Sequence, residues 1–200
     1  MKKAGFAPQG MPGQWVSLSD IQVDLLVPET LVSNEGSRGA RMPPHHKHAT
    51  RKVLGIEGCI VDNDPMLIVS LDPTETRSIE ARVAGPGGLM VAKLVKMWER
   101  IGTKRVEPKD ALDTFRLLRA IETAELKERL EVVLNSKNSG EVGAQALKQL
   151  ESLFGAEDSA GTESVAESLQ LFEDPSTVKA SCAALAMDLI KALDPPIAAM

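Results

Sequence analysis

The hydrophobic rhythm of the chain changes once. As far as Ala84 the apolar residues come in short runs that alternate with polar ones, and beyond Gly88 they recur every three or four positions. Alternation at a period of two predicts half-buried strands, and recurrence at three and four predicts helices with one buried face. Gln14–Ser19 and Ile21–Val27 read as two strands separated by the turn-like pair Ser19-Asp20, the second ending at Pro28, which has no N–H to give to a ladder. Residues 33–44 hold Ser, Asn, Gly and a Pro-Pro pair and read as loop. Gly58–Val61, Met66–Leu71 and Ser78–Val83 are three further predicted strands, bounded by Asp62-Asn63-Asp64-Pro65 and Asp72-Pro73 turns. This half predicts a mostly antiparallel or mixed sheet fragment.

Gly85-Pro86-Gly87-Gly88 marks the change of period and shapes the entry into a helix. From Leu89 to Ile101, Met90, Leu94, Met97, Trp98 and Ile101 fall on one face with Val91 and Val95 beside them, while Lys93, Lys96 and Arg100 line the rest. A helix apolar over most of its circumference is largely buried, so this basic stripe must meet water or a polar cleft. Pro108 suits a first helical position before Lys109–Ala120. Thr123 can cap Ala124–Leu134, Ser139 can begin Glu141–Phe154, and a weaker helix covers Glu163–Leu171. Asp174 with Pro175 caps Ser176–Leu193, which Pro195-Pro196 stops. The expected class is α+β: a strand-rich portion over residues 1–84, then a helical domain over residues 85–200 with an acidic C-terminal tail.

Composition narrows the picture. At 200 residues, 43% hydrophobic and 26% charged, the chain is long enough to bury a core without disulfides. Two cysteines make no disulfide framework, no run approaches a membrane span and no signal-like segment opens the chain, so a cytoplasmic protein is expected. The net charge of −5, two Trp, four Phe and no Tyr speak against a dedicated nucleic-acid binder, which needs basic surface and stacking rings. The charge is uneven: eight acids against Lys179 and Lys191 follow Gly155, whereas Arg38, Arg41, Lys47, Arg51 and Lys52 form an acid-free basic segment. That segment is either a solvated loop or a landing surface for phosphate.

Several residues carry candidate chemistry. Asp24 lies within I-Q-V-D-L-L-V, on the opposite face to Val23 and Leu25, and an acid there is either solvent-facing or committed to a metal or a cation. Asp110 and Asp113, with Lys109, open a helix, where acids suit the positive end of its dipole. His45, His46 and His48 lack a carboxylate or cysteine at ligand spacing and read as loop residues, and neither Cys59 nor Cys182 has the basic neighbour of an activated nucleophile.

Three segments taken in order, Val23-Asp24-Leu25-Leu26-Val27-Pro28-Glu29, Val91-Ala92-Lys93-Leu94 with Arg100, and Lys109-Asp110-Ala111-Leu112-Asp113-Thr114-Phe115-Arg116-Leu117-Leu118, resemble the nucleotidyltransferase superfamily. The likeness is to its bacterial branch of abortive-infection (type IV) toxins of toxin–antitoxin pairs, over most of residues 14–195. The resemblance implies a partial nucleotidyltransferase-like sheet followed by a helical bundle, and transfer of a nucleoside monophosphate from an NTP to a hydroxyl. It implies three carboxylates holding two divalent ions, normally Mg²⁺. Asp24 matches the third of these carboxylates and would be the residual metal ligand. Lys93 matches a lysine near the nucleotide, with Lys96 and Arg100 on phosphates, and Lys109, Asp110 and Asp113 match a helix motif on the same cleft. The Gly-Ser or Gly-Gly loop and the Asp-x-Asp that should precede Asp24 are absent from the twenty-three residues before it, while Gly36-Ser37 and Asp62-x-Asp64 come after it. Lys2–Phe6 resembles the end of the helix that would carry this front, so the chain reads as a member lacking its first strand–helix–strand block and catalytically incomplete.

Two functions are therefore expected of the sequence. One is a nucleotidyltransferase-like protein that binds an NTP, with tRNA the only nucleic acid to be considered, as an acceptor. The other is a non-catalytic interaction protein whose acidic helical tail meets a basic partner, or a second copy of the chain through Arg38–Lys52.

Overall fold

The computed structural model describes residues 1–32, 38–46, 48–101, 103 and 108–193. Its first part holds three small sheets. Strands β1 (Phe6–Pro8), β2 (Gln14–Ser17) and β3 (Gln22–Asp24) form an antiparallel meander, with Trp15 opposite Val23 and Gln14 opposite Asp24. Strand β4 (Leu26–Pro28) pairs in parallel with β5 (Arg51–Val53). Strands β6 (Asn63–Val69) and β7 (Ser78–Ala84) make a hairpin.

The run Ile21–Val27 is thus not one strand. It changes sheet at Leu25, whose N–H donates to the Gly13 carbonyl at 2.8 Å and whose carbonyl accepts from the Arg51 N–H at 2.9 Å. Gly13 sits at φ 80°, and a Cβ there would lie 2.8 Å from the Arg51 nitrogen, so only glycine lets the two backbones meet. The alternation survives the break: Val23, Leu25 and Val27 are half-buried and Asp24 is exposed.

Gly58–Val61 corrects the sequence expectation more sharply, because it is a helical turn, α1, and not a strand. A four-residue apolar run fits either state by pattern alone. Gly55, at φ 97°, turns the chain, and the buried Glu57 carboxylate accepts the Gly55 N–H at 2.7 Å and the Thr30 N–H and hydroxyl at 3.3 and 3.2 Å. The expected turn at Asp62–Pro65 is likewise strand from Asn63 onward. Pro65 is tolerated because β6 belongs to a two-stranded sheet and can turn its missing donor outward.

The helices follow the apolar periodicity closely: α2 (Pro86–Arg100), α3 (Pro108–Ala120), α4 (Thr123–Leu134), α5 (Gly140–Phe154), α6 (Ala160–Leu169) and α7 (Pro175–Leu193). Asp174 caps α7, its carboxylate accepting the Thr177 N–H at 2.9 Å. Helix α2 runs through the middle, burying Met90, Val91, Leu94 and Val95 against α3, α4 and α5. The face is narrower than its sequence suggests, since Trp98 and Ile101, at the C-terminal end of the helix, are 44% and 48% exposed.

Among the described residues, α2 to α7 supply the buried hydrophobic cluster, around Met90, Leu94, Phe115, Leu130, Leu150, Phe154 and Leu189, and Val61 of α1 packs against it. Ahead of α2, the buried apolar side chains among the described residues are Trp15, Pro28 and Ala40. No helix among the described residues is long and apolar enough to cross a membrane.

Candidate functional site

Lys93 leaves the buried face of α2 at its edge, and α3 returns alongside with Asp110 in its first turn. Its ammonium donates to Asp110 Oδ1 at 3.0 Å and to Asp113 Oδ2 at 2.8 Å. Arg100 Nη1 donates to the other oxygen of Asp110 at 3.2 Å, and Arg116 Nη1 to Asp113 Oδ1 at 3.2 Å. Thr114 donates its hydroxyl to the Asp110 carbonyl at 3.0 Å, fixing the turn that presents the acid. The motif residues Lys93, Asp110, Asp113 and Arg100 therefore form one network. Lys96 is half-buried on α2, and Lys109 is exposed on the first turn of α3.

Burial alone would lower the Lys93 ammonium, but its hydrogen bonds and charge contacts with Asp113 and Asp110 carry it above its ordinary 10.5. Burial pushes the Asp113 carboxyl up, and Lys93 with Arg116 outweighs that and holds it below 3.8. The two shifts set the sign of the pH dependence. A depressed carboxyl stabilises the fold above its unfolded value and ceases to as pH falls through the folded one. A raised ammonium stabilises below its unfolded value and ceases to as pH rises through the folded one. The stability difference between wild type and Asp113→Asn is expected to be level between about pH 5 and pH 9, and to shrink below about pH 4 and above about pH 11. Urea unfolding across that range checks it, and a difference that grows on acidification would contradict it.

Asp24 stands elsewhere. It pairs with Arg51 at 3.3 Å and borders a polar hollow of about 430 Å³ lined by Gln9, Gln14, Trp15, Asp20 and Gln22, with no residue of α2 or α3 in its wall. The structure thus joins Lys93 to the α3 acids and leaves Asp24 with the basic segment. Lys52 of that segment also meets an acid, Glu29, at 3.7 Å, and Lys47 and Gly36-Ser37 lie outside the described residues.

The Mg²⁺ centre that the resemblance implies asks for several carboxylate oxygens converging on each ion. Among the described residues no three His, Cys, Asp or Glu side chains are placed to share a metal, and the one matching acid faces a guanidinium. The donor set does not fit a two-ion centre. His46 and His48 stack with ring centres 5.3 Å apart, and the His48 N–H donates to His46 Nδ1 at 3.2 Å. Burial, with Asp62 nearby, raises the Cys59 thiol, and burial pushes Cys182 to about 11, so neither is an activated nucleophile.

The residue that sequence reasoning missed is Asp62. Its side chain is 1% exposed. One oxygen accepts the Gly88 N–H at 2.8 Å, at the N-terminus of α2, and the other accepts Arg129 Nη1 of α4 at 3.2 Å. The exposed Asp64 takes the other arm of that guanidinium at 2.7 Å. The Asp-x-Asp and the Gly-Pro-Gly-Gly are two halves of one device, a carboxylate seated in a helix N-terminus cleared of Cβ atoms.

Comparison with protein-family models, with curated proteins and with solved structures found no match to this chain.

Proposed function

We propose that this chain is a nucleotidyltransferase-like protein that binds a nucleotide or other polyphosphate over the α2–α3 ion-pair network. The observation that carries the reading is Lys93, held by two carboxylates from the helix motif that the family resemblance matches. Two of the three ammonium N–H donors are committed to Asp110 and Asp113, which keeps the lysine charged and fixes its direction in advance. Lys96 follows one turn later on the same helix. The crevice beside Arg100 and Asp110, about 40 Å³, has room for little more than a water, so phosphates would lie across the network and not within it. With no fitting two-ion donor set among the described residues, the role supported is binding.

Calorimetric titration of Mg-ATP and Mg-CTP tests the reading. Lys93→Ala should weaken binding about tenfold or more, the scale of one lost charge-assisted hydrogen bond. Lys109→Ala, exposed and further out, should weaken it less. Equal isotherms for wild type and Lys93→Ala would overturn it.

The interaction-protein reading also has a specific observation in its favour, though not in the acidic tail. There Glu163 pairs with Lys179, and Glu173 with Arg119, on the surface of the helical bundle. The surface that asks for a partner is the β6–β7 hairpin, where Met66, Leu67, Val69 and Ile79 are all at least half exposed.

A further inference from the structure

The β6–β7 hairpin is exposed on both faces over most of its length. A two-stranded ribbon in that state is marginal in water, because neither face is covered and both edges have unpaired backbone groups. Its register shows what would complete it. Opposed residues share a face, so Met66, Ile68, Ile79, Ala81 and Val83 line one side, and Leu67 with Val69 stands beside Glu80 and Arg82 on the other.

The two edges are not equivalent. Pro65 faces Arg82 and has no N–H, so that pair is a non-hydrogen-bonded one, and the backbone groups of alternate residues from it point away from the partner strand. On β6 this outward row includes Pro65 and is blunted. On β7 it is Ser78, Glu80, Arg82 and Ala84, each with both a donor and an acceptor.

The exposed charges along β7 are opposite in sign and two residues apart, with Ala81 between them. An antiparallel copy centred on Ala81 sets Glu80 opposite Arg82 of the second copy, and Arg82 opposite its Glu80. Both facing pairs fall on the outward row and exchange main-chain hydrogen bonds. The same register brings Ile79 opposite Val83 of the second copy and extends the apolar face across the join. Arg82 also donates to Asn63 Oδ1 at 2.6 Å, which occupies one arm of a guanidinium that has five N–H donors.

We propose that two copies of this chain associate through β7, antiparallel about a two-fold axis at Ala81, to make one four-stranded sheet. The self-complementary order of charge selects a second copy over an unrelated strand. The association uses no residue of the Lys93 network and stands or falls separately from nucleotide binding.

Sedimentation of the full chain over a range of concentrations tests it. Wild type should show a concentration-dependent dimer. Glu80→Arg and Arg82→Glu each set like charges opposite each other twice and should weaken the dimer about tenfold or more, with the helical circular dichroism unchanged. The double variant Glu80→Arg/Arg82→Glu restores both pairs and should dimerise as wild type does. An equimolar mixture of the two single variants should form heterodimers. A wild type monomeric at every concentration would overturn the proposal. So would a dimer indifferent to either reversal, or a mixture no better associated than its components.

Discussion

Asp62→Ala is expected to destabilise the protein by about 3 kcal/mol, near the lower end of what breaking a buried ion pair costs. The carboxylate is almost wholly buried and serves two partners, the Gly88 N–H and the Arg129 guanidinium. Its removal leaves a helix N-terminal donor unsatisfied in the interior and a cation with only the exposed Asp64 beside it. The lower end applies because the Arg129 side chain is 32% exposed, so water can take up part of its solvation. For a chain of this length the melting temperature should fall by roughly 10 °C. Asp64→Ala, which removes a half-exposed acid from the same arginine, should cost under about 1 kcal/mol. Denaturant unfolding of the two variants side by side checks the contrast, and equal losses would show that the buried position has no special weight.

The second large effect comes from Gly88→Ala. Alanine favours a helix over glycine by about 1 kcal/mol, so on propensity alone the change should stabilise α2. A Cβ at Gly88 would, however, lie 2.8 Å from the Cys59 nitrogen and 2.9 Å from both the Cys59 Cα and the Gly58 carbonyl carbon. All three are backbone atoms, so no rotamer change can relieve the contact. Helices α1 and α2 would have to separate, which also draws Asp62 away from the donor it satisfies. The clash outweighs propensity, and a net loss of about 2–3 kcal/mol is expected. Gly143→Ala is the comparison, since its new methyl meets side-chain carbons of Val133 and Leu134 at 3.2 and 3.3 Å, which can shift. Thermal melts should leave Gly143→Ala within about 1 kcal/mol of wild type. A Gly88→Ala variant as stable as wild type would mean that the two backbones do not approach as described.

The helical half was legible because each helix buries one face, and its period shows within a dozen residues. The Lys93 network was legible for a related reason: α2 and α3 are consecutive and antiparallel, so acids opening the second meet a lysine of the first. The strand half was harder to read. From Gln22 to Val27 burial alternates through a change of sheet at Leu25, since alternation records which way side chains point and not which strand lies alongside. Asp62 was out of reach for another reason. Its guanidinium partner lies 67 residues away on α4, and an acid before Asn-Asp-Pro looks locally like a turn. The glycines at 85, 87 and 88 were the available signal, because three small residues at a helix entrance mark a place where something must come close.

With the buried hydrophobic cluster of its described residues supplied by α2–α7, the chain has its cohesion at one end. The meander and the β4–β5 pair hold by backbone bonding and by the link from Thr30 to the buried Glu57 carboxylate, with few buried apolar side chains of their own. Drift of sequence in those first sixty residues would therefore be tolerated more readily than in the bundle, provided Gly13, Glu57 and Asp62 stay. Such a molecule can vary its outer strands widely while its helical body goes on folding in the same way.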